Sequence, residues 1–172
     1  MLTLRCTQRL LARLKGSRTE GSAAEPTTRL GDWYANLLHV GRTQLVLAVS
    51  ARTFLPVVSL AAPANTIVAR LRDGAGDVLR AIGVDSVSID RELAEMETVV
   101  LGRTASRQVI GILVDFAKAL DFYLGADPSL LACSLKLAKT PCSPLYKTTV
   151  SPDHATRALF NANPSSRWHA KR

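Results

Sequence analysis

Aromatic residues make up 5% of this 172-residue chain, and long apolar runs are missing altogether. The first scarcity leaves Leu, Val, Ile and Ala to build most of the core, which a hydrophobic content of 47% permits. The second excludes a membrane-spanning helix, and no membrane partner is expected. The longest apolar stretch, Phe54 to Ala64, is broken by Pro56, Ser59 and Pro63 and falls well short of the roughly 20 residues that cross a bilayer. Cysteine is rare and unpaired. Cys6, Cys133 and Cys142 form no C-x-x-C, and their odd number suits free thiols in a reducing compartment better than a disulfide framework. The N-terminus lacks the apolar run of a secretory signal. It is Arg-rich and poor in acids, as transit peptides are, but Leu2, Leu4 and Cys6 alternate with Thr3, Arg5 and Thr7, which is the period of a half-buried strand. The chain therefore reads as cytoplasmic.

Catalytic signatures are missing too. There is no H-E-x-x-H, and His39, His154 and His169 are isolated, so no metal site is expected. There is no G-x-x-x-x-G-K, and Gly74-Ala75-Gly76 has Leu79 where a third glycine belongs, so no nucleotide cofactor, nor any other, is expected. Cys142 lies in a Pro-bounded loop with His154 as the nearest base in sequence, the minimum for a thiol nucleophile. A free cysteine is more commonly a small buried apolar residue, and all three are read that way.

Net charge is missing from the middle of the chain. Residues 30–146 carry eleven Lys/Arg and eleven Asp/Glu, whereas residues 1–29 carry six basic and two acidic groups and residues 147–172 five and one. The whole surplus of +8 lies at the two ends. A neutral body with basic ends suits a compact domain whose termini reach an anionic partner.

What is present reads as one domain over residues 1–160, with a mobile loop at 16–29 and a disordered basic tail at 161–172. A strand at Met1–Thr7 precedes a short helix at Gln8–Lys15. Trp33–Val40, Leu45–Ser50 and Phe54–Leu60 are joined by short polar links and form an antiparallel meander. Pro56 places the third strand at an edge or bulge. Asn65 caps a helix ending at Gly83, with a break expected at Gly74 and Gly76. A helix at Ser88–Glu97, a strand at Thr98–Arg103 and a long helix at Ser106–Leu124 follow. Asp127-Pro128 caps a further helix that stops before Pro141, and Ser151-Pro152 opens a last one to Phe160. The fold class is α+β: a mostly antiparallel sheet of four or five strands, with helices on one face.

Three groups of residues are candidates for binding. Asp32, Trp33, Tyr34 and Asn36 stand where a loop becomes sheet, a common place for binding groups, although Gly31-Asp32 is also ordinary turn chemistry and Trp33 an ordinary core anchor. Arg103, Thr104, Ser106 and Arg107 run from a strand into the start of the longest helix, where free N–H groups, a positive dipole end and two guanidiniums attract anions. Arg5, Arg9 and Arg13 could extend that basic surface. Arg167, Trp168, Lys171 and Arg172 place a flat aromatic among cations, an arrangement able to stack on a base.

The segments MLTLRCTQRLL, RLGDWYANLL followed by QLVLAVS and FLPVV, S-R-x-V-x-G-x-x-x-D-F, and TPCSPLY with SPDHATRALF resemble a bacterial family defined only as a domain of unknown function. The resemblance covers nearly the whole chain. GDWYAN is its most specific piece, and it matches fixed features of the family at Gly31, Asp32, Trp33, Tyr34, Asn36, Arg107, Gly111, Asp115 and Phe116. Relatives carry Asn-Asn or Asn-Arg where this chain has Thr104-Ala105-Ser106. The resemblance implies a bacterial cytosolic protein and no particular activity.

These features order three functional expectations. The first is a non-enzymatic binding or regulatory protein for an anionic partner such as nucleic acid. The second is a metal-assisted nuclease or phosphotransfer enzyme using Asp32 and Asp115 with Arg103 and Arg107. The third is an oligomeric interaction protein, a homo-oligomer included.

Overall fold

Five residues near the start of the chain form an interior strand of the sheet. A computed structural model describes residues 1–14, 24–126 and 128–162. In it, strand β1 (Leu2–Cys6) is followed by helix α1 (Gln8–Leu14), then by strands β2 (Trp33–Val40), β3 (Thr43–Ser50) and β4 (Pro56–Leu60). Helices α2 (Ile67–Ala81) and α3 (Ser86–Glu95) lead to β5 (Val99–Arg103), and α4 (Arg107–Ala126), α5 (Leu130–Ala138) and α6 (Pro152–Asn161) complete the described chain. The sheet order is β4-β3-β2-β1-β5. The α+β class and the meander stand. The mobile loop expected at 16–29 and the tail expected to be disordered fall largely on 15–23 and 163–172, outside the described residues.

The sheet is mixed rather than mostly antiparallel. β1 runs parallel to β2 on one side, with Leu4 beside Trp33, and to β5 on the other, with Leu4 beside Leu101. Both links to β1 contain helices and exceed the dozen or so residues that a parallel crossover needs, so the polar ends of these strands carried no information about direction. The helices also cover both faces, not one. Leu2, Leu4, Cys6, Trp33, Ala35, Val46, Ala48 and Val57 meet α1, α2 and α3, whereas Tyr34, Leu45, Leu47, Val49 and Val58 meet α4 and α5. The reason is visible in β3, where Leu45 to Ser50 are all buried. A run that is apolar at consecutive positions is a strand covered on both sides, not an alternating one.

Local signals were overridden in three places. Helix α2 does not break at its glycines, because Gly74 lets it approach β4: a Cβ there would stand 2.6 Å from Val57 Cγ1. It begins after a 3-10 turn at Ala64–Thr66 with no side-chain cap, so Asn65 does not cap it. Helix α5 is capped by Ser129, whose Oγ accepts from Ala132 N at 3.2 Å, which displaces the expected Asp127-Pro128 start; Asp127 lies outside the described residues.

The two edges of the sheet differ. At β4, Pro56 has no N–H to offer, the outward Val58 N–H donates to Ser134 Oγ (3.0 Å), and Leu60 O accepts from Arg70 Nη1 (3.1 Å). On β5, Leu2 N donates to Thr98 O (3.0 Å) and Leu2 stands beside Val99. The even residues of β5 therefore turn their backbone groups to β1, and Val99, Leu101 and Arg103 turn theirs outward. β1 carries the core between these halves. Leu4 is fully buried, so Leu4→Ala should cost about 2–5 kcal/mol, whereas Leu131→Ala on the surface of α5, where the side chain is 40% exposed, should cost well under half of that. Urea unfolding of the two variants, with unchanged m-values, checks this.

Candidate functional site

The chain enters β2 through a clamp. Glu92 on α3 is 2% exposed, and its two carboxylate oxygens accept from the backbone N–H groups of Arg29 (2.8 Å) and Leu30 (3.0 Å). Thr28 Oγ1 donates to Gly31 O (2.8 Å). Gly31 takes φ +79°, which L side chains rarely adopt, and this turn sends Asp32 toward β1. There the carboxylate stands in for a missing strand. Oδ1 accepts from Thr3 N (2.9 Å), whose N–H faces the β2 side just before the β1–β2 ladder begins, and Oδ2 accepts from Arg5 Nε (3.0 Å). Both side chains are mostly buried, at 13% and 20% exposure, so the pair is desolvated enough to hold Arg5 in one orientation.

Arg5 lies on the second face of the sheet and crosses β5 where that strand has no side chain. A Cβ on Gly102 would stand 2.8 Å from Thr3 Cγ2 and 3.9 Å from Arg5 Nη1. Through this gap Arg5 Nη1 donates to Arg103 O (3.3 Å). Helix α4 packs over β2 and β3, while Thr3, Arg5, Thr7 and Gly102 on the same face are half-buried rather than buried. Tyr34 joins the two regions. It is 4% exposed, and its phenol oxygen accepts from Ser106 N (3.2 Å). Ser106 is in turn the cap of α4, its Oγ accepting from Val109 N (3.4 Å).

Between these groups lies a cavity of about 360 Å³, lined by Arg5, Asp32, Tyr34, Arg52, Ala105 and Ser106 among others. Arg52 reaches it from the β3–β4 turn, with Nη1 donating to Arg29 O (3.1 Å). No carboxylate among the described residues is ion-paired with Arg52.

The structure thus brings Asp32, Tyr34 and Ser106 together from two separate candidate groups. Trp33 points to the opposite face and is fully buried. Asn36 accepts from Thr7 Oγ1 (2.9 Å) and fixes the start of α1. Thr104 is half-buried, Arg103 and Arg107 are exposed, and none of the three lines the cavity. Arg9 lies beside His39 (3.4 Å) rather than with Arg5. Arg167, Trp168, Lys171 and Arg172 lie outside the described residues. Asp115 sits nine residues beyond Ser106 on α4, about 13 Å along the axis at 1.5 Å per residue, and does not share the cavity. It neighbours Cys142 instead, whose thiol is pushed up to about 11 by burial and then by the Asp115 charge. Burial alone pushes Cys6 up to about 12. Among the described residues no three His, Cys, Asp or Glu side chains gather as metal ligands, and no helix is long and apolar enough to cross a membrane. Arg52 and Glu92 are the residues of the cavity and the clamp that sequence reasoning did not single out, and Arg5 was named only as an extension of the Arg103 and Arg107 surface. The outward side of the β1 alternation was the one available signal for Arg5.

The class defined by this architecture is a single α+β domain with a mixed five-stranded sheet and a donor-lined cavity on its second face. The chain belongs to the family described as Domain of unknown function (DUF6933), whose family model matches residues 3–155. No curated protein and no solved structure matches it.

The clamp has a pH signature. Burial raises the Glu92 pKa above its ordinary 4.5, outweighing the two backbone N–H groups and the Arg29 and Arg52 charges that lower it. The native state then holds this proton more tightly than the unfolded chain, so the Glu92 contribution is fully present below about pH 4.5 and is lost as pH rises through the native value. Urea midpoints measured from pH 4 to 7 should therefore fall relative to those of Glu92→Gln, which has no such proton to lose. Parallel pH profiles for the two proteins would contradict the assignment.

Proposed function

We propose that this protein is a non-catalytic binding protein that receives an anionic, phosphate-bearing partner in the cavity between Arg5, Arg52, Tyr34 and Ser106. One observation carries the reading: two guanidinium edges and two hydroxyl protons on the cavity wall have no acceptor among the described residues, while each oxygen of the one carboxylate there already accepts a hydrogen bond. Both Asp32 oxygens are engaged by Thr3 N and Arg5 Nε. Arg5 Nη2, the Arg52 Nη2 edge and the Tyr34 and Ser106 hydroxyl protons have no acceptor among the described residues. Tyr34 is the telling member, because a phenol this deeply buried ordinarily spends its proton. Arg5 and Asp32 offset one another, which leaves Arg52 as a net positive charge where the α4 N-terminus adds its dipole. Guanidiniums and hydroxyls around a small volume suit a tetrahedral oxyanion, each charge-assisted bond contributing about 1.5–3 kcal/mol before desolvation.

The basic ends of the chain extend this reading to nucleic acid, a partner whose phosphates the exposed Arg103 and Arg107 would also meet beside the cavity. Three free, buried thiols support a reducing compartment, and with the family resemblance a bacterial cytoplasm. The metal-assisted enzyme gains no support from the placement of Asp115.

Calorimetric titration with inorganic phosphate and with a short single-stranded oligonucleotide, each at several salt concentrations, tests the reading. Arg52→Gln should weaken both by about tenfold, and Tyr34→Phe should weaken phosphate binding while leaving the salt dependence of oligonucleotide binding unchanged. Wild type that binds neither anion, or variants indistinguishable from it, would overturn the proposal.

A further inference from the structure

We infer that the outer edge of β5, unpaired among the described residues, is the contact through which two copies of this chain pair, antiparallel and about a two-fold axis at Val100. The inference stands apart from the cavity. Three features of the edge select this partner and this register.

The first is backbone supply. Val99 and Leu101 turn both N–H and C=O outward, as the Leu2–Thr98 bond and the β1–β5 register require. No described residue outside the sheet takes these groups. Arg103 is different, because its carbonyl already accepts from Arg5 Nη1. A two-fold pairing centred on Leu101 would need that carbonyl, facing Val99 of the second copy. A pairing centred on Val100 puts Val99 opposite Leu101 of the other copy, and each such pair exchanges two hydrogen bonds using groups that are free.

The second feature is the side chains. Val99, Val100 and Leu101 are half-buried, with no charge, proline or bulge among them to discourage pairing. The third is charge. The register centred on Val100 carries Arg103 of the second copy beyond Val99, up to the turn before β5 that holds Glu97, and by symmetry brings Glu97 of the second copy to Arg103. Both residues are exposed. Glu97 uses Oε1 for an exposed pair with Arg72 at 3.1 Å, and Oε2 remains available. A self-complementary strip of this kind is what an isologous interface requires.

Sedimentation equilibrium over a wide concentration range on wild type, Arg103→Glu, Glu97→Arg and the double exchange tests the inference. Wild type should reach twice the chain mass. Each single exchange sets like charges at two places and should raise the dissociation constant about tenfold, and the double exchange should restore it. Independently of any variant, the Val99 and Leu101 amides of wild type should gain protection from hydrogen exchange as concentration rises. A single-chain mass throughout, a dimer indifferent to both single exchanges, a double exchange no better than either single one, or edge amides unprotected in the dimer would each overturn it.

Discussion

The carboxylate of Asp32 is the point on which the sheet and the cavity both depend. β1 is wedged between two parallel neighbours, and on its β2 side the regular ladder begins at Leu4 and Trp33. The Thr3 N–H just before that point would face nothing without Asp32 Oδ1, and a buried orphan donor costs on the order of 1–3 kcal/mol. The second oxygen orients Arg5, and Arg5 in turn ties Arg103 on β5. One side chain thus connects β2, β1 and β5 in sequence. Its own position is set by Gly31 and by the Glu92 clamp, so a helix on the first face controls a group that acts on the second.

This arrangement explains how a segment with no net charge can present a positive site. Charge balance over residues 30–146 is a statement about counts, and the cavity separates what the count adds together. Asp32 is engaged by Arg5 and the backbone, Glu92 is engaged by the Arg29 and Leu30 N–H groups, and Arg52 has no carboxylate partner among the described residues.

Much of the fold was legible because it is written locally. The alternation of Leu2, Leu4 and Cys6, the short links of the meander, and Pro56 as an edge residue all depend on near neighbours. The parallel pairing of β1 with β5 was not legible, since Leu4 and Leu101 carry nothing that names the other. The two covered faces could have been read from Leu45 to Val49, whose consecutive apolar residues do not alternate. At the site, Tyr34 and Ser106 were each singled out for separate reasons, and the bond between them follows from the path of the chain between β5 and α4. Arg52 sits in what looks like an ordinary polar turn, and no local pattern distinguishes it from Arg42 in the preceding one.

The guarding of β4 has a consequence for how large any assembly can become. Pro56 offers no donor, Ser134 takes the outward N–H of Val58, and Arg70 takes the outward carbonyl of Leu60. A sheet with two open edges can add copies at both and grow without limit, the geometry of fibres. With the donors and acceptors of one edge interrupted from within, strand-to-strand contact at the other closes on itself after a single event. The buried hydroxyl of one serine on α5 thereby limits growth along the sheet, at the edge opposite β5.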